Sequence, residues 1–199
     1  MSAEKVYNFP NLVYPSKPDL IIRNLLSEDE CDFLRKCTDV FEEDTSPLVT
    51  LRREKKGLYE VDRQYWTFRE YPIWFNKLWK KIRKYYQHDI HRPRHLHIMK
   101  YRKPGDGLEW HSEGRISYVS FSINLSDSTE HEGGDLELRD IPDLKLNKGD
   151  GIVYSGKSVH RVTPLISGTK YSFVAWFKDV SRMKEVYKKP FPYDKEKKT

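Results

Sequence analysis

The chain has 199 residues and a formal net charge of +6, and 33% of its residues are charged. That length accommodates one domain with a sizeable core, and no apolar run reaches the roughly 18 residues that a membrane span needs. Met1-Ser2-Ala3-Glu4-Lys5 lacks a basic segment followed by an apolar block, so the expectation is a cytoplasmic protein without a secretory signal.

Cys31 and Cys37 lie six apart on an expected helix and point to different faces, so two free thiols in a reducing compartment are expected. The positive excess gathers in three clusters. They are Arg52, Arg53, Lys55 and Lys56; Lys77, Lys80, Lys81, Arg83 and Lys84; and Lys188, Lys189, Lys195, Lys197 and Lys198. Such patches can meet nucleic acid or acidic substrates, but a solvated surface is the preferred reading.

Residues 1–19 carry Pro10, Pro15 and Pro18 and suit an irregular lead-in. Leu20-Ile21-Ile22 is a short apolar run, expected as a strand. Ser27 followed by Glu30 is a capping-box pattern, and Phe33, Leu34, Cys37 and Phe41 recur at helical spacing, which predicts a helix over 28–40. Residues 42–60, interrupted by Pro47 and Gly57, are expected as loop with at most one strand. Pro72 opens a second amphipathic helix over about 72–87, carried by Ile73, Trp74, Leu78, Ile82, Tyr85 and Tyr86.

After His91-Arg92-Pro93 the texture changes. Short runs of Val, Ile, Tyr, Phe and Trp alternate with Gly, Asp and Pro turns. The predicted strands are 95–101, 108–111, 117–125, 135–138, 143–146, 150–154, 159–164 and 170–178. Eight such runs behind two helices predict a mostly β, α+β chain: a double-stranded β-helix barrel of jelly-roll type, with N-terminal helices packed on one sheet. The expected division is residues 1–90 as strand and helix support, 91–180 as the catalytic core and 181–199 as a basic tail.

The chemistry-bearing residues fall in the second half. In a strand, side chains i and i+2 share a face, so His111 and Glu113 at a strand end can turn toward one metal. His160 follows a Gly-containing turn and can supply a third ligand. Two His and one carboxylate on one side of an octahedral ferrous ion leave three positions open. Lys170, ten residues beyond His160, can then anchor an anion. His95 and His97 are rivals, because two His on one strand face can also bind metal. Along 117–125, Val119, Phe121, Ile123 and Leu125 share one face, and Tyr118, Ser120, Ser122 and Asn124 share the other. In a barrel that polar face can line a cavity. Gly133-Gly134, Gly149 and Gly168 suit turns with positive φ.

In order, Tyr101, His111, Glu113, Val119–Leu125, Gly133-Gly134, Gly149-Asp150, His160 and Lys170 resemble the prolyl 4-hydroxylase-like branch of the 2-oxoglutarate- and Fe(II)-dependent dioxygenases. The resemblance covers His95 to Lys178. That family usually has Asp where this chain has Glu113, one methylene longer but with the same hard oxygen ligand.

The resemblance implies Fe(II) held by His111, Glu113 and His160, with 2-oxoglutarate and O2 as cosubstrates and ascorbate as reductant. It also implies that Lys170 pairs with the distal carboxylate of 2-oxoglutarate, helped by Tyr101 and Ser172. Ser122 and Asn124 are further cosubstrate or substrate contacts. Oxidative decarboxylation to succinate and CO2 would be coupled to hydroxylation of a peptidyl residue, proline first. The peptide is expected near Arg102-Lys103-Pro104-Gly105-Asp106-Gly107 and a lid over 42–64, which holds Tyr59 and is followed by Tyr65 and Trp66.

Two alternatives stay open. One is an oxygenase acting on nucleic acid or a small metabolite, although Lys170 to Phe177 lacks the Arg-rich closing strand of the nucleic-acid dealkylating branch. The other is a jelly-roll binding module without turnover.

Overall fold

The computed structural model describes residues 20–43, 49–56, 59–67, 75–77, 79–80, 90–91, 93, 95–113 and 119–179. The expected lead-in over 1–19, the basic tail over 181–199 and residues 117–118 lie outside them, as does most of the expected helix over 72–87. Residues 75–77 and 79–80 of that helix are helical. Among the described residues, no helix is long and apolar enough to cross a membrane.

The elements in chain order are Leu20–Ile22 (β1), Glu28–Glu43 (α1), Val49–Lys56 (β2), Tyr59–Thr67 (β3), Ile90–His91 (β4), His95–Tyr101 (β5) and Leu108–His111 (β6). They continue with Val119–Asn124 (β7), His131–Gly133 (β8), Leu136–Leu138 (β9), Gly151–Ser155 (β10), His160–Val162 (β11), Leu165–Gly168 (β12) and Lys170–Asp179 (β13).

Helix α1 begins where its cap dictates. Ser27 Oγ accepts from the Glu30 N–H at 3.2 Å, and Glu30 Oε2 accepts from the Ser27 N–H at 2.9 Å. Glu28, Asp29 and Glu30 place negative charge in its first turn, where the helix dipole favours it. Its inner side brings Cys31 and Leu34 into the main core. Both cysteines are free, and burial pushes the Cys31 thiol up to about 11, which makes it an unreactive core side chain.

The major sheet runs β1-β10-β7-β13-β5-β3-β2, with β4 on the far end of β13. Its named pairings are antiparallel. Period-2 alternation divides it into two buried faces. One face carries Ile98, Phe121, Ile123, Val153, Phe173 and Ala175 against Leu34, Phe75 and Trp79. The other carries Met99 and Tyr101 against Leu108, Val162 and Leu165. Farther along, Ile152 and Tyr154 pack on Leu138, with Leu144 and Leu146 around them. Helix, major sheet and small sheets therefore stack as layers, and the second face of the major sheet looks toward the small sheets.

Those small sheets correct the barrel expectation. The chain is a mixed α+β fold in which β6-β11-β9 form a three-stranded sheet and β12-β8 a two-stranded one. Among the described residues no sheet closes on itself: the major sheet ends at β1 and β2, which do not pair with each other. The small strands are three or four residues long. Their ladders shift register between His160 and Val162 and between Leu165 and Ser167. Such bulges break the hydrogen-bond rows that a closed barrel would have to continue.

Three local expectations also change. The loop expected over 42–60 is largely the hairpin β2–β3, so the lid reading of 42–64 does not describe its backbone. The strand expected over 143–146 is absent, since Asp143 takes φ +59° in a turn. Strands β8 and β12 lie where none was expected.

Candidate functional site

Strand pairing builds the site. Antiparallel β11 and β6 set His160 directly opposite His111, so both imidazoles leave the small sheet on the same side. Their ring centroids are 4.3 Å apart. Glu113, two residues past His111, brings Oε1 to 3.6 Å from His111 Nε2 and 3.7 Å from His160 Nε2. One ligand atom from each residue lies within 4.8 Å of the others, so the three can share one cation. Trp110 points the opposite way and is exposed, its ring flanked by the guanidinium groups of Arg161 at 4.7 Å and Arg139 at 5.5 Å.

Backbone carbonyls fix the ring tautomers. His111 Nδ1 lies 2.6 Å from Glu109 O, and His160 Nδ1 lies 2.9 Å from Ser158 O. A carbonyl only accepts, so each Nδ1 carries the hydrogen and each Nε2 keeps its lone pair for a metal. Tyr154 packs its ring against His160 with centroids 4.9 Å apart, which fixes the plane of that ring. Two neutral imidazole nitrogens and one carboxylate oxygen match the donor set that leaves open positions on a ferrous ion.

The rival His97 is buried with its ring edge-on to Trp176, 4.7 Å between centroids, and it joins no cluster of metal-binding groups among the described residues. The side chain of His95 lies outside the described residues.

Lys170 opens β13, directly opposite Tyr101 on β5. Both are buried, at 5% and 2% exposure. Lys170 Nζ donates to Asn124 Oδ1 at 2.6 Å. Burial pulls its ammonium down to about 8, against the opposing pull of Asp135 and Glu130. A buried ammonium with one neutral oxygen partner is a ready site for an anion. Ser172 stands opposite Asn124, two residues along from Lys170, so it shares that face. Ser122 is buried on the same face of β7. Asn124 is fully engaged: its Oδ1 also accepts from the Ser126 N–H at 3.1 Å, and its Nδ2 donates to Leu146 O at 2.7 Å. It therefore holds Lys170 in place and does not offer a free amide.

Residues 102–107 form a clamped turn beside β12. The Asp106 carboxylate accepts from the Arg102 and Lys103 N–H groups at 2.7 and 2.9 Å. Gly105 N donates to Leu165 O, and Leu165 N donates to Asp106 O, both at 2.8 Å.

One residue of the anion pocket escaped sequence reasoning. His131 on β8 places Nε2 3.4 Å from Lys170 Nζ. Its Nδ1 lies 2.7 Å from Gly133 O. Burial, then the Lys170 charge, lowers its basicity. The only sequence signal was a His two residues before Gly133-Gly134, a turn whose glycines take φ +74° and +72°.

Comparison with known proteins agrees with this geometry. Residues 96–178 match the model of the 2OG-Fe(II) oxygenase superfamily. A PKHD-type hydroxylase of Synechococcus sp. (strain CC9311) is 40% identical over 96 residues, 42% of this chain and 43% of that protein. The chain thus spans less than half the length of the first curated relatives it matches. Among solved structures, a viral collagen prolyl hydroxylase from Paramecium Bursaria Chlorella virus-1 aligns with TM-score 0.61 at 18% identity, over 84% of this chain and 98% of that one. A Trichoplax adhaerens prolyl hydroxylase, in complex with a hypoxia inducible factor peptide fragment, aligns with TM-score 0.64 at 12% identity, over 86% and 88%.

Proposed function

We propose that the chain, which matches the 2OG-Fe(II) oxygenase superfamily over residues 96–178, is an Fe(II)- and 2-oxoglutarate-dependent dioxygenase hydroxylating a peptidyl residue, proline first. The observation that carries this reading is the convergence of His111, Glu113 and His160 within 4.8 Å, with both Nε2 lone pairs free.

When bound, Fe(II) with 2-oxoglutarate would supply the oxidation, reducing O2 while the oxo acid loses CO2 and becomes succinate. The chain supplies position and charge. His111, Glu113 and His160 hold the metal from one side. Lys170 takes the distal carboxylate of 2-oxoglutarate, Tyr101 and Ser172 line the same face, and Asn124 fixes the ammonium. Ser122 extends that face toward the substrate. Residues 91–180 form the catalytic core in this reading, and the segment before it is support, since Leu34, Phe75 and Trp79 share one core with Phe121 and Phe173. Free Cys31 and Cys37 support a reducing, cytoplasmic setting.

A peptide substrate is supported by the two structural neighbours, whose own names give them collagen and hypoxia inducible factor peptide as partners. The exposed Trp110 between Arg161 and Arg139 is the feature that favours nucleic acid, because a base can stack on such a ring. Succinate release is the test, with a proline-rich peptide in one arm and methylated single-stranded DNA in the other. Coupled succinate from the peptide alone supports the proposal, and coupling to the DNA alone would transfer the activity to nucleic acid. An anaerobic Fe(II) titration with 2-oxoglutarate that gives no visible charge-transfer band would leave a binding module.

A further inference from the structure

We propose that His131 is a second anchor for the distal carboxylate of a dicarboxylic oxo acid, and that its Nε2 takes up a proton from solvent as that carboxylate docks on Lys170. The inference rests on the dioxygenase reading and adds a residue and a proton to it.

The geometry sets the sequence of events. Gly133 O accepts the Nδ1 hydrogen at 2.7 Å, so Nε2 carries the lone pair. That lone pair faces the Lys170 ammonium at 3.4 Å, and Lys170 is the donor. An imidazolium there would sit beside a second cation in a partly buried site, and both effects keep the ring neutral.

The other charged groups acting on the ring are Glu130 and Asp135, on either side of β8. Both favour the protonated ring, but Glu130 is already held by Arg35 from α1, through two 2.9 Å contacts. Asn124, from β7, is neutral and faces Lys170.

A carboxylate arriving on Lys170 reverses this balance. Its charge offsets the ammonium, and its second oxygen needs a donor in a site where water is scarce. Nε2 is the nearest titratable nitrogen to Lys170 Nζ among the described contacts, and only its protonated form donates. The bond formed is N–H at Nε2, the proton comes from buffer, and nothing is oxidised.

Calorimetry of 2-oxoglutarate binding to the Mn(II)-loaded full chain tests this, run at pH 7 in buffers of different ionisation enthalpy. Lys170 is already charged at that pH, so net uptake approaching one proton per 2-oxoglutarate reports His131. His131→Gln should lose that uptake, whereas uptake at pH 8.5, where Lys170 itself recharges, should persist in both proteins. Equal uptake at pH 7 in wild type and variant overturns the role of His131 alone. A metal-loaded wild type that does not bind 2-oxoglutarate overturns the dioxygenase reading and this inference together.

A second measurement needs no variant. In the Zn(II)-loaded, 15N-histidine-labelled protein, the Nε2 resonance of His131 should move from the unprotonated to the protonated position on adding 2-oxoglutarate. A resonance that stays unprotonated at saturation refutes the proposal.

Discussion

His160 and His111 are register partners across β11 and β6, and each has its Nδ1 tied to a carbonyl two residues before it, Ser158 O and Glu109 O. The same short strands therefore set both the spacing of the two imidazoles and the nitrogen each presents. Glu113 completes the set only because it follows His111 by two residues at the strand end.

His160→Ala should leave a folded protein that no longer holds iron. The ring is buried but stands at the edge of the hydrophobic clusters, touching Tyr154. Losing a supporting contact around a metal typically costs about 10–100-fold in affinity. Losing the ligand itself should cost at least about 100-fold and take turnover with it. Fe(II) titration and succinate release measure the two effects, and persistent turnover would remove His160 from the metal set.

The Ser27–Glu30 cap gives a prediction about stability alone. Ser27→Ala removes the acceptor for the Glu30 N–H and loosens the start of α1. The expected loss is about 1 kcal/mol in urea unfolding, with 2-oxoglutarate binding unchanged. A variant as stable as wild type would mean that α1 is held by its core contacts through Cys31 and Leu34 and its ion pairs through Arg35 and Asp32.

What could be read from the sequence follows the range over which each feature is determined. The cap, the positive-φ glycines and the His111–Glu113 spacing are local, and they stand as expected. Strand β2 was missed because Arg52, Arg53, Glu54, Lys55 and Lys56 give no apolar alternation; charge is what an edge strand carries. Asp143-Leu144-Lys145-Leu146 does alternate, yet Leu144 and Leu146 reach the third cluster from irregular backbone after a turn and not from a ladder. Strands β8 and β12 are too short for periodicity to register. Barrel closure and the place of His131 beside Lys170 depend on pairings between distant segments, which composition and spacing do not encode.

Gly133→Ala should be costly. The residue takes φ +74°, and an added Cβ would run into Pro164 O across the β8–β12 pair. The left-handed backbone and the collision together should cost roughly 2–4 kcal/mol. Because Gly133 O also holds His131 Nδ1, the same change should disturb the anion pocket. Denaturant unfolding checks the first effect and 2-oxoglutarate affinity the second; a loss under 1 kcal/mol would mean that the turn gives way easily.

Lys170 sets function against stability, and pH separates the two. Burial brings its ammonium down to about 8, from an ordinary 10.5. The unfolded chain therefore binds more protons than the folded one between those values. The cost of burying the charge is fully present below pH 8 and is relieved as pH rises toward 10.5. Lys170→Met, which fills the same volume without charge, should stabilise the empty protein at pH 7 by on the order of 1–3 kcal/mol. Asn124 Oδ1 keeps the Ser126 N–H as a partner in that variant, and the acceptor that loses its donor is the half-buried His131 Nε2, whose contact to Lys170 is long at 3.4 Å, so little offsets the gain. The variant should lose 2-oxoglutarate, with a KM raised at least tenfold, since a hydrogen bond to a charged group contributes about 1.5–3 kcal/mol. In His131→Gln the KM for 2-oxoglutarate should vary little near pH 7 and climb as pH passes 8, by up to about tenfold per unit, whereas in the wild type the climb should begin already near pH 7, where His131 takes up its proton on binding. Thermal unfolding of the empty proteins and KM profiles over pH 6.5–9.5 check both halves. A wild-type KM that stays flat through pH 9 would move the anion anchor to another residue.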